Sequence, residues 1–340
     1  MMFEEIIEIQ GRKVGPGQPC MIIAEAGVNH FGDLQKALDL VDLAVSAGAD
    51  VYKMQAFHTD ALVSDHLPEW RKRLKSKEID YDFLRAVKDY CATRQIIFMC
   101  TAHDEVALAW LRDLDVSALK IGSGERGNAE FLKMHAKFGR PVILSTGMYS
   151  EVDVIRAVEV FAKESMHQLA ILHCVTSYPV PYSELNLQAI TRLKEIFCGP
   201  VGYSDHSTNF DSAIAAVALG ATIVEKHITL DFDVPNAQDW KVSAGPKDFQ
   251  LYVSKIRDIE QSLGHSEITI QQCEGKAEEW ALKVVVAKHA LKEGQRLDFS
   301  HFIYQRAGSG IAPDRVDDIV GKVINTNIEK GTPIQWHQLK

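Results

Sequence analysis

Several residues whose types could do chemistry stand at regular intervals along the first 230 positions of this 340-residue chain. His206 and His227 are the first candidates, because neutral imidazole nitrogens readily hold a divalent metal. A separation of 21 residues is no linear metal motif, so a hydrogen-bonded histidine pair is the plainer alternative. Lys53, Lys120 and Lys226 form a second set. A lysine in an apolar cleft is costly unless it meets an anion, which points to a phosphate or carboxylate ligand. A Schiff-base lysine is the rival chemistry, and salt bridges to Glu25, Glu125 or Glu225 are the structural explanation. Ser123, Ser145, Thr146 and Gly147 add hydroxyls and backbone N–H groups near helix starts, a setting that suits phosphate oxygens.

These residues need a scaffold, and the apolar pattern supplies one. Eight short apolar runs occur at 20–25, 51–55, 96–101, 118–123, 141–145, 169–174, 201–204 and 222–227. Runs without polar alternation suit strands of a parallel sheet covered on both faces. The intervening segments have helical period: Leu34, Ala37, Leu38, Val41 and Val45 follow an Asp33 cap, and Gly48 closes that helix. Eight strand–helix units predict an α/β chain folded as a closed (β/α)8 TIM barrel, with an open doubly wound sheet as the weaker alternative.

A barrel puts its chemistry at the C-terminal strand ends. In order, the runs lead into Glu25, Lys53 with Gln55, Thr101, Lys120 with Ser123, Ser145, Thr176 with Tyr178, Ser204 with His206, and Lys226 with His227. One polar strand end is unremarkable, since such ends are often wet; eight in register are harder to dismiss. Residues 3–13 read as a hairpin that plugs the barrel bottom, and the polar stretch 57–76 as a flap over the mouth. Beyond the barrel (1–268) a linker (269–280) leads to a small domain of short strands and turns (281–340).

Charge and composition narrow the function. The formal charge is −9, which disfavours a nucleic-acid partner. It divides into +3 over residues 281–340 and −12 over the rest, a basic cap against an acidic barrel. No apolar run approaches the ~20 residues that a bilayer requires, and the acidic start lacks the pattern of a secretion signal, so a cytoplasmic setting without membrane contact is expected. The six cysteines form no Cys-x-x-Cys pair or zinc array and read as reduced.

The strand-end motifs carry a resemblance. Ile23-Ala-Glu-Ala-Gly-Val-Asn-His-Phe-Gly, Tyr52-Lys-Met-Gln, Lys120-Ile-Gly-Ser-Gly-Glu, Leu144-Ser-Thr-Gly-Met, Leu172-His-Cys, Gly202-Tyr-Ser-Asp-His and Val224-Glu-Lys-His-Ile-Thr resemble the sialic acid synthase family. Arg306-Ala-Gly-Ser-Gly-Ile and Ile319-Val-Gly-Lys resemble its C-terminal, β-rich antifreeze-like (SAF) domain. The resemblance implies condensation of phosphoenolpyruvate with an N-acylated mannosamine-like sugar, giving a nine-carbon 3-deoxy-2-keto acid and phosphate. It places Lys53, Thr101, Lys120, Ser123, Ser145 and Ser204 on phosphoenolpyruvate, and His206 and His227 on Mn²⁺ or Mg²⁺. Glu125 is then the candidate for proton handling, and Glu25 and Gln55 line the same mouth, with the metal or sugar as partners. Arg306 matches an arginine that reaches the sugar from the other subunit of a domain-swapped homodimer.

Three segments depart from the family pattern. Thr176 precedes Ser177-Tyr178-Pro179 where many members have asparagine or serine. Pro235-Asn-Ala-Gln-Asp239-Trp240 is one residue longer than usual, with Asp239 as the candidate sugar-contacting carboxylate. Leu282-Lys-Val replaces the usual opening of the small domain. These changes lie on the sugar side, so the sequence supports the donor better than the acceptor. The alternatives are a deoxy-sugar phosphate synthase, marked by a second basic cluster in the mouth, a Schiff-base aldolase using Lys120 or Lys53, and a non-catalytic sugar-binding or coat-polysaccharide protein.

Overall fold

A computed structural model describes residues 3–235, 237 and 239–340; Asn236 and Gln238, in the lengthened 235–240 loop, lie outside the described residues. The chain divides into two compact units, Met1–Gly264 and His265–Lys340.

The first unit opens with an antiparallel hairpin, β1 (Ile7–Ile9) and β2 (Arg12–Val14). Its two-residue loop has positive φ at both Gln10 (50°) and Gly11 (80°), the turn whose twist matches paired strands. Eight parallel strands then close a barrel: β3 (Met21–Gly27), β4 (Val51–Ala56), β5 (Ile97–Ala102), β6 (Leu119–Ile121), β7 (Val142–Ser145), β8 (Leu169–Cys174), β9 (Val201–Asp205) and β10 (Ile223–His227). They coincide with the eight apolar runs.

Each strand sends alternate side chains to two separate apolar regions. Met21, Ile23, Val51, Met99, Ile143, Leu172 and Ile223 fill the barrel interior together with Ile7, Ile9 and Val14 of the hairpin, all fully buried. The hairpin therefore stoppers the bottom, as its sequence suggests. Ile22, Ala24, Tyr52, Leu144 and Val224 point outward into the larger core beneath the helices.

The outer layer comprises α1 (Leu34–Ala47), α4 (Tyr81–Thr93), α5 (Glu105–Asp113), α6 (Ala129–Ala136), α7 (Glu151–Lys163), α8 (Gln188–Ile196), α9 (Asp211–Ala218) and α10 (Pro246–Leu263). Local chemistry fixes several starts: Asp33, Asp80, Asp104, Asn128 and Ser150 each accept a hydrogen bond from a first-turn N–H. Between β4 and α4 the expected flap folds as two more helices, α2 (Thr59–Leu62) and α3 (Pro68–Lys75). Although its composition is polar, this segment presents Leu67 and Trp70 at 52% and 58% exposure.

In the second unit β11 (Lys283–Ala287) pairs with β12 (Phe302–Arg306) over a core of Val285, Leu291, Leu297, Ile319, Ile324 and Ile334. Isolated bridges complete this strand-rich unit. The segment expected as a linker contains α11 (Gly275–Ala281), because Ala, Glu and Lys without β-branching or proline favour helix there. All six cysteines are free, four buried and two exposed.

Close packing of the barrel interior makes Gly202 a test of this arrangement. A Cβ there would lie 2.5 Å from the Ile223 carbonyl oxygen and 2.6 Å from Leu172 Cδ2. Gly202→Ala is expected to cost about 1–3 kcal/mol, read as a lower denaturant midpoint with an unchanged slope.

Candidate active site

Strand alternation decides which polar side chains meet. Ile23 and Met21 of β3 face inward, so Glu25 does too, and the same parity brings Lys53, Thr101, Glu225 and His227 into the mouth. Glu225 is the hub. Its Oε1 accepts a 2.9 Å hydrogen bond from Ser204 Oγ and lies 3.8 Å from Lys120 Nζ, while Oε2 lies 3.6 Å from Lys53 Nζ. Lys53 Nζ also sits 2.7 Å from Glu25 Oε2 and donates to Thr101 Oγ1 at 3.3 Å. Gln55 donates to the other Glu25 oxygen at 2.9 Å, and Lys120 donates to Ser145 Oγ at 2.6 Å. Lys53, Lys120, Glu25, Ser145 and Ser204 are all no more than 3% exposed.

Burial alone would favour the neutral form of each ionised group. For Glu225 the charges of Lys120 and Lys53 and the Ser204 hydrogen bond outweigh burial, holding its carboxyl well below the ordinary range. Burial is also opposed at Lys53, where Glu225 and Glu25 push the ammonium up. Lys120 has less compensation, so burial prevails and shifts it downward despite Glu225. The result is a compact pocket of two ammonium and two carboxylate groups with hydroxyls oriented around the lysines.

A second group lies beside it. His206 Nδ1 is 2.7 Å from the Val175 carbonyl oxygen; since that oxygen only accepts, Nδ1 carries the proton. Nε2 is then the free lone pair, and Tyr178 Oη donates to it at 3.1 Å. The ring centroids of His206 and His227 are 5.6 Å apart, and His227 Nδ1 is buried without a hydrogen-bond partner. Gly27, with φ +55°, allows a close approach: a Cβ there would lie 2.9 Å from Asp239 Oδ2 and 3.4 Å from His227 Nδ1. Asp239 and His227 thus face one spot.

These residues fit the divalent metal that the sequence resemblance implies. Burial pushes His227 toward its neutral, ligating form, and its orphaned Nδ1 is a donor atom awaiting an acceptor. Among the described residues no three His, Cys, Asp or Glu groups make a closed cage. Two imidazoles leaving positions for water and substrate oxygens suit Mg²⁺ or Mn²⁺, which retain such ligands.

Ser123 and Thr176 meet at Gly147. The Gly147 N–H donates to Ser123 Oγ at 2.9 Å, and a Cβ at Gly147 would collide with both that oxygen and Thr176 Oγ1. Glu125 lies half-buried in the turn after β6; Asn128 donates to it at 2.8 Å, yet burial raises its carboxyl pKa. Arg306 belongs to the second unit, where its guanidinium stacks over Trp280 at 5.7 Å.

One expectation is overturned. Lys226, between inward-facing Glu225 and His227, must point the other way. It lies 3.3 Å from Asp205 Oδ2 and beneath the Tyr252 ring of α10, outside the mouth. Two mouth residues went unchosen in the sequence. Glu225 figures there only as a salt-bridge partner, although its position two residues before His227 puts it on the same face. His103 stands two residues past Thr101 by the same rule.

A cavity of about 490 Å³ adjoins the mouth and reaches beneath α3, with Gln55, His103 and Asp239 among its polar members and Phe57, Leu67 and Trp70 among its apolar ones. Arg73 and Lys77 also border it.

A closed barrel with a lysine-bearing, hydroxyl-lined mouth and a strand-rich C-terminal unit defines a class, and comparison with known proteins identifies it. Residues 40–268 match the NeuB family and residues 283–340 the SAF domain. The chain is 34% identical to the N,N'-diacetyllegionaminic acid synthase of Legionella pneumophila, over 96% of each chain. It is 37% identical to an uncharacterized protein of Methanocaldococcus jannaschii, over 98% of this chain and 99% of that one. The crystal structure of the N-acetylneuraminic acid synthetase from Leptospira borgpetersenii superposes with a TM-score of 0.76 at 35% identity, covering 82% of this chain and 96% of that one. The chain belongs to the NeuB family of sialic-acid-type synthases and carries a C-terminal SAF domain.

The carboxylate hub makes stability depend on pH. Glu225 binds its proton less readily folded than unfolded, where the pKa is about 4.5, so its contribution is complete above that value and lost as pH falls toward the depressed folded value. Glu225→Gln leaves two buried lysines undercompensated and is expected to cost roughly 3–5 kcal/mol at neutral pH. Denaturant midpoints between about pH 5 and pH 3 should fall less steeply in this variant than in wild type.

Proposed function

We propose that the protein condenses phosphoenolpyruvate with an N-acylated mannosamine-like sugar, releasing phosphate and forming a nine-carbon 3-deoxy-2-keto acid. The observation that carries this reading is the pairing, in one mouth, of a deep lysine–hydroxyl pocket suited to a small polyanion with an imidazole pair beside a cavity of sugar size. The names of the relatives, synthases of sialic-type acids, support the same class.

In this reading Lys53 and Lys120, with Thr101, Ser145 and Ser204, hold the donor's carboxylate and phosphate. The hydroxyls of Ser123, which accepts the Gly147 N–H and so keeps its own proton to donate, and of Thr176 offer further donors to phosphate oxygens. Mn²⁺ or Mg²⁺ held by His206 and His227 supplies Lewis acidity toward the sugar aldehyde. Donor C3 then forms the new C–C bond to the aldehyde carbon. Water adds at C2, and the tetrahedral carbon expels phosphate by C–O cleavage, leaving the ketone. One proton must reach the new alkoxide, one must leave the attacking water, and the hydroxyl proton left on C2 departs with the phosphate as the ketone forms. In this reading Glu125, whose carboxyl burial pushes toward its protonated form, handles them, with Glu25 as the second carboxylate. Gln55, Tyr178 and Asp239 border the acceptor side.

We further infer a homodimer in which the basic SAF domain of one subunit brings Arg306 to the sugar in the other. A cytoplasmic setting with no membrane or nucleic-acid partner belongs to the same proposal; no helix among the described residues is long and apolar enough to cross a membrane.

Phosphate release from phosphoenolpyruvate, measured with Mn²⁺ over a panel of N-acyl mannosamine-like and 6-deoxy sugars, tests the reading. No release with any sugar by metal-replete enzyme overturns it in favour of a non-catalytic sugar-binding role. Resistance to EDTA with inactivation by borohydride and pyruvate would establish a Schiff-base aldolase instead. His206→Ala should lose metal dependence and about three orders of magnitude in rate. Arg306→Ala should chiefly raise the sugar KM, and an unchanged KM would remove Arg306 from the site.

A further inference from the structure

His103 is a mouth residue without an assignment. Its backbone N–H donates to the Ala56 carbonyl oxygen at 3.1 Å, continuing the β4–β5 ladder one residue past the end of β5. Parity with Thr101 sends the side chain inward. There the ring meets Phe57 edge-on, at 6.4 Å between centroids and 65° between planes. On its other side Cε1 would lie 3.6 Å from a Cβ built on Gly122, an ordinary packing distance, so the backbone at Gly122 runs alongside the imidazole. Backbone, aromatic neighbour and glycine together set the ring at the boundary between Thr101 of the lysine pocket and the cavity beneath α3.

The imidazole's hydrogen-bonding capacity is unspent. Lys53, Lys120, Ser145, Ser204, Gln55 and His206 all have partners within the protein, whereas no hydrogen bond joins either ring nitrogen of His103 to another described residue. Burial, reinforced by the charge of Lys53, pushes its pKa down to about 4. The ring is therefore neutral at physiological pH, with one N–H donor and one lone-pair acceptor. A neutral donor–acceptor pair on an apolar backing is poorly suited to a trianion, for which the lysines are provided. It suits hydroxyl groups, each of which can both give and take a hydrogen bond.

We propose that His103 is a positioning residue for the acceptor, its two ring nitrogens hydrogen-bonding hydroxyl groups of the sugar where the lysine pocket opens into the cavity. This rests on the synthase reading above and extends it by assigning part of acceptor selection to β5. Phe57 and Gly122 hold the ring, and Gln55 and Asp239 supply polar groups elsewhere around the same space.

His103→Phe tests this by keeping an aromatic ring against Phe57 while removing both hydrogen-bonding nitrogens. His103→Asn and His103→Gln restore polar atoms near the Nδ1 and Nε2 positions respectively. The full-length, metal-replete enzyme is assayed with N-acetylmannosamine and phosphoenolpyruvate, and N-acetylmannosamine binding is measured separately by titration calorimetry, which requires no turnover. Loss of one or two hydrogen bonds should raise the acceptor KM and weaken acceptor binding about tenfold or more in His103→Phe. The phosphoenolpyruvate KM should stay within about twofold, and Asn or Gln should recover part of the loss.

An acceptor KM and affinity equal to wild type in His103→Phe overturn the assignment. A parallel rise in the phosphoenolpyruvate KM overturns it by placing the ring on the donor. A fall in kcat with both KM values unchanged replaces it with a role in proton transfer. If His103→Phe fails to fold, the Asn and Gln variants decide: a partial loss of acceptor binding with the donor KM unchanged is expected, and wild-type acceptor binding in both, or a donor KM raised in parallel, overturns the proposal. Absence of phosphate release by wild type with every sugar of the panel above sinks the underlying synthase reading, whereas wild-type turnover with an unmoved acceptor KM in His103→Phe sinks this inference alone.

Discussion

Two ammonium groups buried within one barrel are the constraint on which the mouth depends. Lys53 and Lys120 would repel each other and prefer water, and Glu225 makes their burial possible by standing within 3.8 Å of both. Glu25 adds a second negative charge to Lys53. The two carboxylates fix the ammonium groups in place while the hydroxyls of Thr101 and Ser145 accept from them. The charges and dipoles of the mouth are therefore set by the fold in advance, which is the preorganisation that the proposed anion site requires.

Much of this was legible from spacing alone. The eight apolar runs are the eight barrel strands, and the polar residues following them gather at one end because parallel strands end on the same side. The Asp33 cap and the Gly48 stop of α1 follow from local chemistry that needs no tertiary information. Parity was the information left unused. Reading Lys226 as a mouth residue fails because strand neighbours point to opposite faces, and the same rule recovers Glu225 and His103. The helical fold of 57–76 was hidden by polarity, since α3 has no fully buried face to betray its period. The meeting of Ser123, Thr176 and Gly147 joins three different strand ends, and no linear pattern encodes such a contact.

The mouth has two chemically distinct halves with separate supports. The lysine half is built from the strands themselves, at positions where any movement would disturb the barrel ladder. The other half borrows from connections: Tyr178 follows β8, Asp239 follows β10, and the apolar cavity wall is mounted on α2 and α3. The departures from the family pattern at Thr176 and at 235–240 fall in these connections rather than in the strands. Loops tolerate change that strands do not, so this half can vary while the lysines and hydroxyls remain in register.

The hairpin at the chain's start gives the barrel a closed floor. Ile7, Ile9 and Val14 seal the end opposite the mouth, so the interior below the lysines is packed apolar core rather than a channel. Lys53 lies deeper along β4 than Gln55, which borders the cavity beneath α3. The floor therefore shields the ammonium groups and their carboxylates from water on the side away from the strand ends, where screening would otherwise weaken their attraction.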